Sequence, residues 1–211
     1  MGFKMTPEKR KKTAKILSLV VIIAGFTVII GWIFDIRILK SIAPAWVSMK
    51  FDTAIAFVLS GITLYFIVRA VEGEFDKAQV ALSITSLLII LLMGTLFFSA
   101  VLKIRTGAED LFIKEAAGTA KTVTPGRPSM PTMVSFLMVA AAGILTTLNP
   151  VNLRTKLRII GLIIGSIGML AIVGYIVDKP SFYYYIEGIN SAVACHTAAL
   201  FMVLGIGFLC L

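Results

Sequence analysis

Six long apolar stretches, set apart by short polar or charged ones, organise this chain: approximately 14–34, 52–71, 79–102, 132–148, 157–177 and 190–211. Each is close to the ~20 apolar residues that carry an α-helix across a bilayer. The hydrocarbon layer offers no water to backbone groups, which must then pair within each stretch, so all six are read as helices. Inside the even-numbered stretches one polar-to-small pattern occurs three times. Thr53, Phe57 and Gly61 are spaced by four residues, and so are Thr132, Phe136, Ala140 and Thr197, Phe201, Gly205. A spacing of four places each trio on one helix face.

The odd-numbered stretches carry a second pattern. The first has Gly25, Gly31 and Asp35, and the fifth has Gly168, Gly174 and Asp178 at the same spacing. The third keeps Gly94 and Ala100 but has Ile104 where the acid would stand. The predicted unit is a glycine-bearing helix, a loop, and a helix with the Thr–Phe–small face, in repeat units of approximately 14–71, 79–148 and 157–211. The fold class is all-α, a polytopic membrane protein with six transmembrane helices as three repeated helical hairpins, in a single integral membrane domain over 1–211. Small residues let membrane helices approach closely. Gly61, Ala140 and Gly205 are therefore expected at contacts between hairpins, around a pseudo-threefold or in a curved bundle, with the three phenylalanines one turn away.

Charge orients the picture. Lys9, Arg10, Lys11, Lys12 and Lys15 precede an apolar run too long for a cleavable signal. By the positive-inside rule the N-terminus is expected in the cytoplasm, and six crossings return the C-terminus there. Trp32, Trp46, Tyr175, Tyr183, Tyr184 and Tyr185 then fall at the outer interface, which amphipathic rings favour. The net charge of +9 is spread over membrane flanks, which fits anionic lipid and not nucleic acid. With 58% hydrophobic residues, a soluble globular domain is excluded.

Candidate chemistry is sparse. His196, the one histidine, stands beside Thr197 at the start of the last stretch. An imidazole there could read pH or bind a ligand. Asp35 and Asp178 are the other signal- or ligand-sensing candidates, since acids at the edge of an apolar zone can face a polar pocket. The bland reading makes them solvated helix ends. Lys50 and Asp52 are read as interfacial charges, and the charged residues of 103–127 as a solvated loop face. No phosphate loop, metal-ligand cluster or nucleophile arrangement is present in the pattern, so neither an enzyme nor a cofactor is expected.

The stretches Trp46-Val47-Ser48-Met49-Lys50-Phe51-Asp52-Thr53-Ala54, Pro125-Gly126-Arg127-Pro128-Ser129-Met130-Pro131-Thr132 and His196-Thr197-Ala198-Ala199 resemble segments of a sensor family. It is the multi-spanning N-terminal region that precedes PAS and histidine kinase modules in prokaryotic signalling proteins. The resemblance implies a non-catalytic signal-input module in the cell membrane. Its partners would be the lipid bilayer and a cytoplasmic kinase or cyclase, or a lost fused domain, with a homodimer as a further option. No output domain lies within the 211 residues, so the expectation is a stand-alone relative or the membrane half of something longer. The alternatives are a small transporter or channel-like subunit, and a structural accessory subunit.

Overall fold

The computed structural model describes residues 6–43, 45–116 and 120–211. Pro44 and Gly118 lie outside them. Among the described residues the chain is all-helical, with no strand. Eight α-helices follow in order: α1 (Pro7–Ile33), α2 (Arg37–Lys40), α3 (Phe51–Val71), α4 (Phe75–Ile89), α5 (Thr95–Val101), α6 (Met130–Leu148), α7 (Leu153–Ile176) and α8 (Cys195–Leu209). A π-turn over Ile90–Gly94 joins α4 to α5, making one apolar helix of Phe75–Val101.

Five helices are long and apolar enough to cross a membrane: α1, α3, the α4–α5 helix, α6 and α7. The sixth expected span differs. Helix α8 begins at Cys195 and has 15 residues, about 22 Å of rise against a hydrocarbon layer of about 30 Å. Residues 190–194 do not join it because their polar groups are committed elsewhere. The Ala192 N–H donates to the Lys121 carbonyl (3.1 Å) and the Val193 N–H to that of Tyr183 (3.0 Å). The Asn190 carboxamide oxygen accepts from the Met130 N–H (3.1 Å).

Helices α3, α6 and α8 form the inside of the bundle. Each outer helix packs on two of them: α1 on α3 and α8, α4 on α3 and α6, and α7 on α6 and α8. The helices thus form a closed circuit of contacts, α1–α3–α4–α6–α7–α8–α1. On the axis Phe57, Phe136 and Phe201 meet with ring centroids 4.8, 5.0 and 5.1 Å apart, all three at 0% exposure. Edge and tilted contacts at such distances add to the burial of the rings themselves.

The outer helices bury positions at one spacing. These are 14, 18, 21, 25, 28 and 31 in α1; 82, 86, 89, 93, 96 and 99 in α4–α5, which also buries 78, 85 and 94; and 157, 161, 164, 168, 171 and 174 in α7. In the third long helix this register falls on Met93 and Ser99; Gly94, which the glycine spacing indicated, is buried beside Met93, and Ala100 is half-buried. A Cβ on Gly94 would meet nothing nearer than 3.9 Å, whereas one on Gly25 or Gly168 would lie 2.9 or 2.4 Å from a carbonyl oxygen of the facing helix, that of Ala54 or Ala198. The other faces of these helices present Ile16, Ile23, Phe26, Leu87, Leu91 and Leu162, an exposed apolar belt suited to lipid. The chain is thus read as membrane-embedded.

Candidate functional site

All chemistry-bearing side chains singled out by the sequence lie at the end of the bundle where α1, α5 and α7 stop and α3, α6 and α8 start. The three outer helices end alike. Asp35, Lys103 and Asp178 adopt left-handed φ of 54°, 54° and 49°. The next N–H then reaches back to the carbonyl five residues earlier: Ile36 to Gly31 (2.8 Å), Ile104 to Ser99 (3.1 Å) and Lys179 to Gly174 (2.9 Å). This is the Schellman termination of a helix. Asp35 and Asp178 therefore stand on the surface as helix terminators, and the matching residue of the second hairpin is Lys103, not Ile104. Asp35 pairs with Lys40 at 2.5 Å, and that hydrogen bond, with the lysine's charge, holds its carboxyl below the usual carboxylate range. His196 sits apart from both acids, half-buried near the Lys40 backbone, with Nε2 lacking a hydrogen-bond partner among the described residues.

The three inner helices also start alike. Lys50, Ser129 and Ala194 precede them in extended conformation, with ψ of 152°, 154° and 146°. One turn in, Thr53, Thr132 and Thr197 surround a cavity of about 10 Å³ on the ring axis, directly above the phenylalanines. That volume holds about one water molecule. Thr132 shares a 2.8 Å hydrogen bond with Ser129.

Over this end the loops fold into a roof. The Trp32 indole N–H donates to the Met49 carbonyl (2.8 Å). Trp46 packs on Tyr175 (4.8 Å), Tyr175 stacks on Tyr183 (4.4 Å), and the Lys121 ammonium donates to the Tyr183 hydroxyl (2.7 Å). Tyr183 is fully buried. These three rings, expected at the outer interface, pack on one another at this end of the bundle.

Beneath the roof lies a charged cluster that sequence reasoning assigned to interfacial and solvated positions. The Lys50 ammonium donates to Glu115 (2.6 Å) and to the Thr122 hydroxyl (2.8 Å), with side-chain exposures of 5% and 2% for Lys50 and Glu115. Burial pushes the lysine pKa down, against the opposing effect of Glu115. Glu115 also accepts from the Gly126 N–H (2.7 Å). Gly126 has φ of +74°, and a Cβ there would sit 2.0 Å from the Glu109 carbonyl oxygen, so only glycine fits. Glu109 accepts from Arg127 (2.5 Å) and from the Ser99 hydroxyl. Burial alone would raise its pKa, but the Ser99 and Arg127 hydrogen bonds win and hold it at about 2. Asp52, 3% exposed, is the exception: its carboxylate makes no hydrogen bond or ion pair with the described residues. It lines a second cavity of about 10 Å³ with Trp32, Glu109, Glu115 and Gly126.

Trp32, Ile113 and Glu115 are shared between that cavity and an open groove of about 930 Å³ walled by Trp46, Ile38 and Ile42, with Arg37 and Lys114 also lining it. Among the described residues no three His, Cys, Asp or Glu side chains are grouped as a site for a metal ion. The arrangement is suited to binding and to holding charge under a lid. Comparison of the chain with protein-family models, with curated proteins and with solved structures gives no match.

Proposed function

We propose that this chain is a membrane-embedded signal-input module. It spans the bilayer as six helices in three repeated hairpins, with both termini cytoplasmic and the roof outside. It relays an extracytoplasmic or intramembrane signal to a cytoplasmic kinase or cyclase partner, or to a fused domain of that class. The resemblance of the 46–54, 125–132 and 196–199 segments to histidine kinase input regions names the output class. The repeat is supported by the common buried spacing of the outer helices and the common entry and exit geometry of the hairpins.

The single observation that carries the reading is the filled axis. A transporter or channel needs a polar or opening path, yet the three phenylalanine rings close the centre of the ring at full burial. Helix α8 connects the two ends. It starts under the roof, and its last turn accepts a hydrogen bond from Arg10 of α1 at the Leu209 carbonyl (2.8 Å). Gly205 packs directly on the Gly161 and Gly165 backbone. Such an interface supports relay if two packings of α8 are close in free energy and a ligand binds one of them better.

The test is a photoreactive residue at Leu209, which is exposed at the end of α8 while neighbouring Phe208 is fully buried. After irradiation of native membranes, capture of a histidine kinase or cyclase is the expected result. Capture of lipid or of the chain itself alone, in cells that express such kinases, overturns the reading.

A further inference from the structure

The cluster beneath the roof does not balance its charge. Lys50 and Arg127 supply two cations against the carboxylates of Asp52, Glu109 and Glu115, and the salt bridges pair Lys50 with Glu115 and Arg127 with Glu109. Asp110, close by, pairs through Oδ2 with Arg105 (3.0 Å), which cancels its charge, while its Oδ1 is buried without a hydrogen-bond partner among the described residues. Asp52 is left over. An uncompensated carboxylate at 3% exposure is costly in a low-dielectric interior. Its cavity, about 10 Å³, is the size of one water-sized occupant and has two further carboxylate residues in its walls.

We propose that this cavity binds one small monovalent cation, with Asp52 as its charge partner. The titratable and charged groups around it are Lys50 from the start of α3 and Glu109, Asp110, Glu115 and Arg127 from the loop between α5 and α6, while Asp35, Arg37, Lys40 and Lys114 line the adjoining groove. Lys50 and Arg127 are already spent on their own carboxylates, so neither supplies the missing charge. One charge is owed, and that selects a monovalent occupant over a multivalent one. The groove that shares Trp32, Ile113 and Glu115 with the cavity gives the ion its entrance. The site belongs to this chain alone and stands whether or not a kinase partner exists.

Sodium and a proton are the two sources of a single small positive charge, and one experiment separates them. The purified protein in nanodiscs is melted at pH 8 in sodium chloride and in choline chloride at equal ionic strength, and again in choline at pH 6. Asp52→Asn, which removes the charge and keeps the shape, is treated in parallel. At a concentration tenfold above its dissociation constant, sodium raises the wild-type Tm by about 3–6 °C and leaves Asp52→Asn unmoved. If the proton is the occupant, the wild type responds to pH and not to sodium, and the variant responds to neither. A wild type indifferent to both, or a variant that responds as the wild type does, overturns the proposal. The wild-type comparison stands alone should the variant fail to fold.

Discussion

Gly205→Ala is expected to destabilise the protein by about 3 kcal/mol, the upper end of what overpacking usually costs. A Cβ at this position would lie 2.6 Å from the Gly161 carbonyl oxygen and 2.8 Å from the Gly165 nitrogen. These are backbone atoms of α7, which cannot rotate away as a side-chain tip would, so α7 and α8 must separate along their contact. The phenylalanine of α8 on the axis, Phe201, is one turn away and would shift with it. Gly94→Ala is the control. Its added methyl meets nothing within 3.9 Å, and replacing a helical glycine with alanine stabilises by up to ~1 kcal/mol. Thermal unfolding of both variants in nanodiscs decides the matter. Equal Tm values for the two would mean that the α7–α8 contact is not close-packed.

Lys50→Met is expected to cost about 3–5 kcal/mol, the usual effect of stripping one partner from a buried ion pair. That corresponds to a fall in Tm on the order of 10 °C for a chain of this size. The methionine keeps the aliphatic stem, so the loss isolates the ammonium. Glu115, 2% exposed, then holds its charge without the lysine, and the hydrogen bond to Thr122 goes as well. The double variant Lys50→Met, Glu115→Gln removes both charges and is expected to recover most of the loss, because a buried pair replaced as a unit costs little. A single variant as stable as the wild type would mean that the roof is open to water and the pair is screened.

Much of the fold was legible because lipid forces a simple grammar. Apolar length marked the helices, and the Thr–Phe–small spacing found three phenylalanines that meet within 5.1 Å on the axis. The glycine pattern found Gly25 and Gly168, each against the same position of its partner helix. Gly94, at the matching place in the third helix, is buried too, but beside Met93, whose bulk holds the facing helix away, so no backbone approaches it closely. The start of α8 was placed five residues early. The 190–193 segment was read as part of the last helix, but its polar groups bond to the nearby Tyr183 and to the distant Lys121 and Met130.

The candidate site was the least legible part. Lys50 and Glu115 are 65 residues apart, and Arg127 and Glu109 are 18 apart across a loop. No periodicity links such pairs, so each charge read singly resembles an ordinary interfacial residue. The signal available was density. Glu109, Glu115, Lys121 and Arg127 crowd a loop that also holds Gly126, and a glycine among charges hints at a backbone folded tightly onto itself. Asp35 and Asp178 drew attention for a sound reason, their equivalent positions, which the backbone uses to end two helices.

The central claim is that three hairpins close into one ring around a packed axis, and the contact between the first and last helices tests it most directly. Arg10 of α1 reaches the Leu209 carbonyl of α8 at 2.8 Å. Cysteines placed at Arg10 and Leu209, with Cys195 and Cys210 changed to serine, are treated in membranes with a short bifunctional maleimide. A closed ring predicts an efficient crosslink within a single chain. Crosslinks only between chains, or none although both cysteines react with a monofunctional maleimide, would contradict the ring and favour an open row of hairpins.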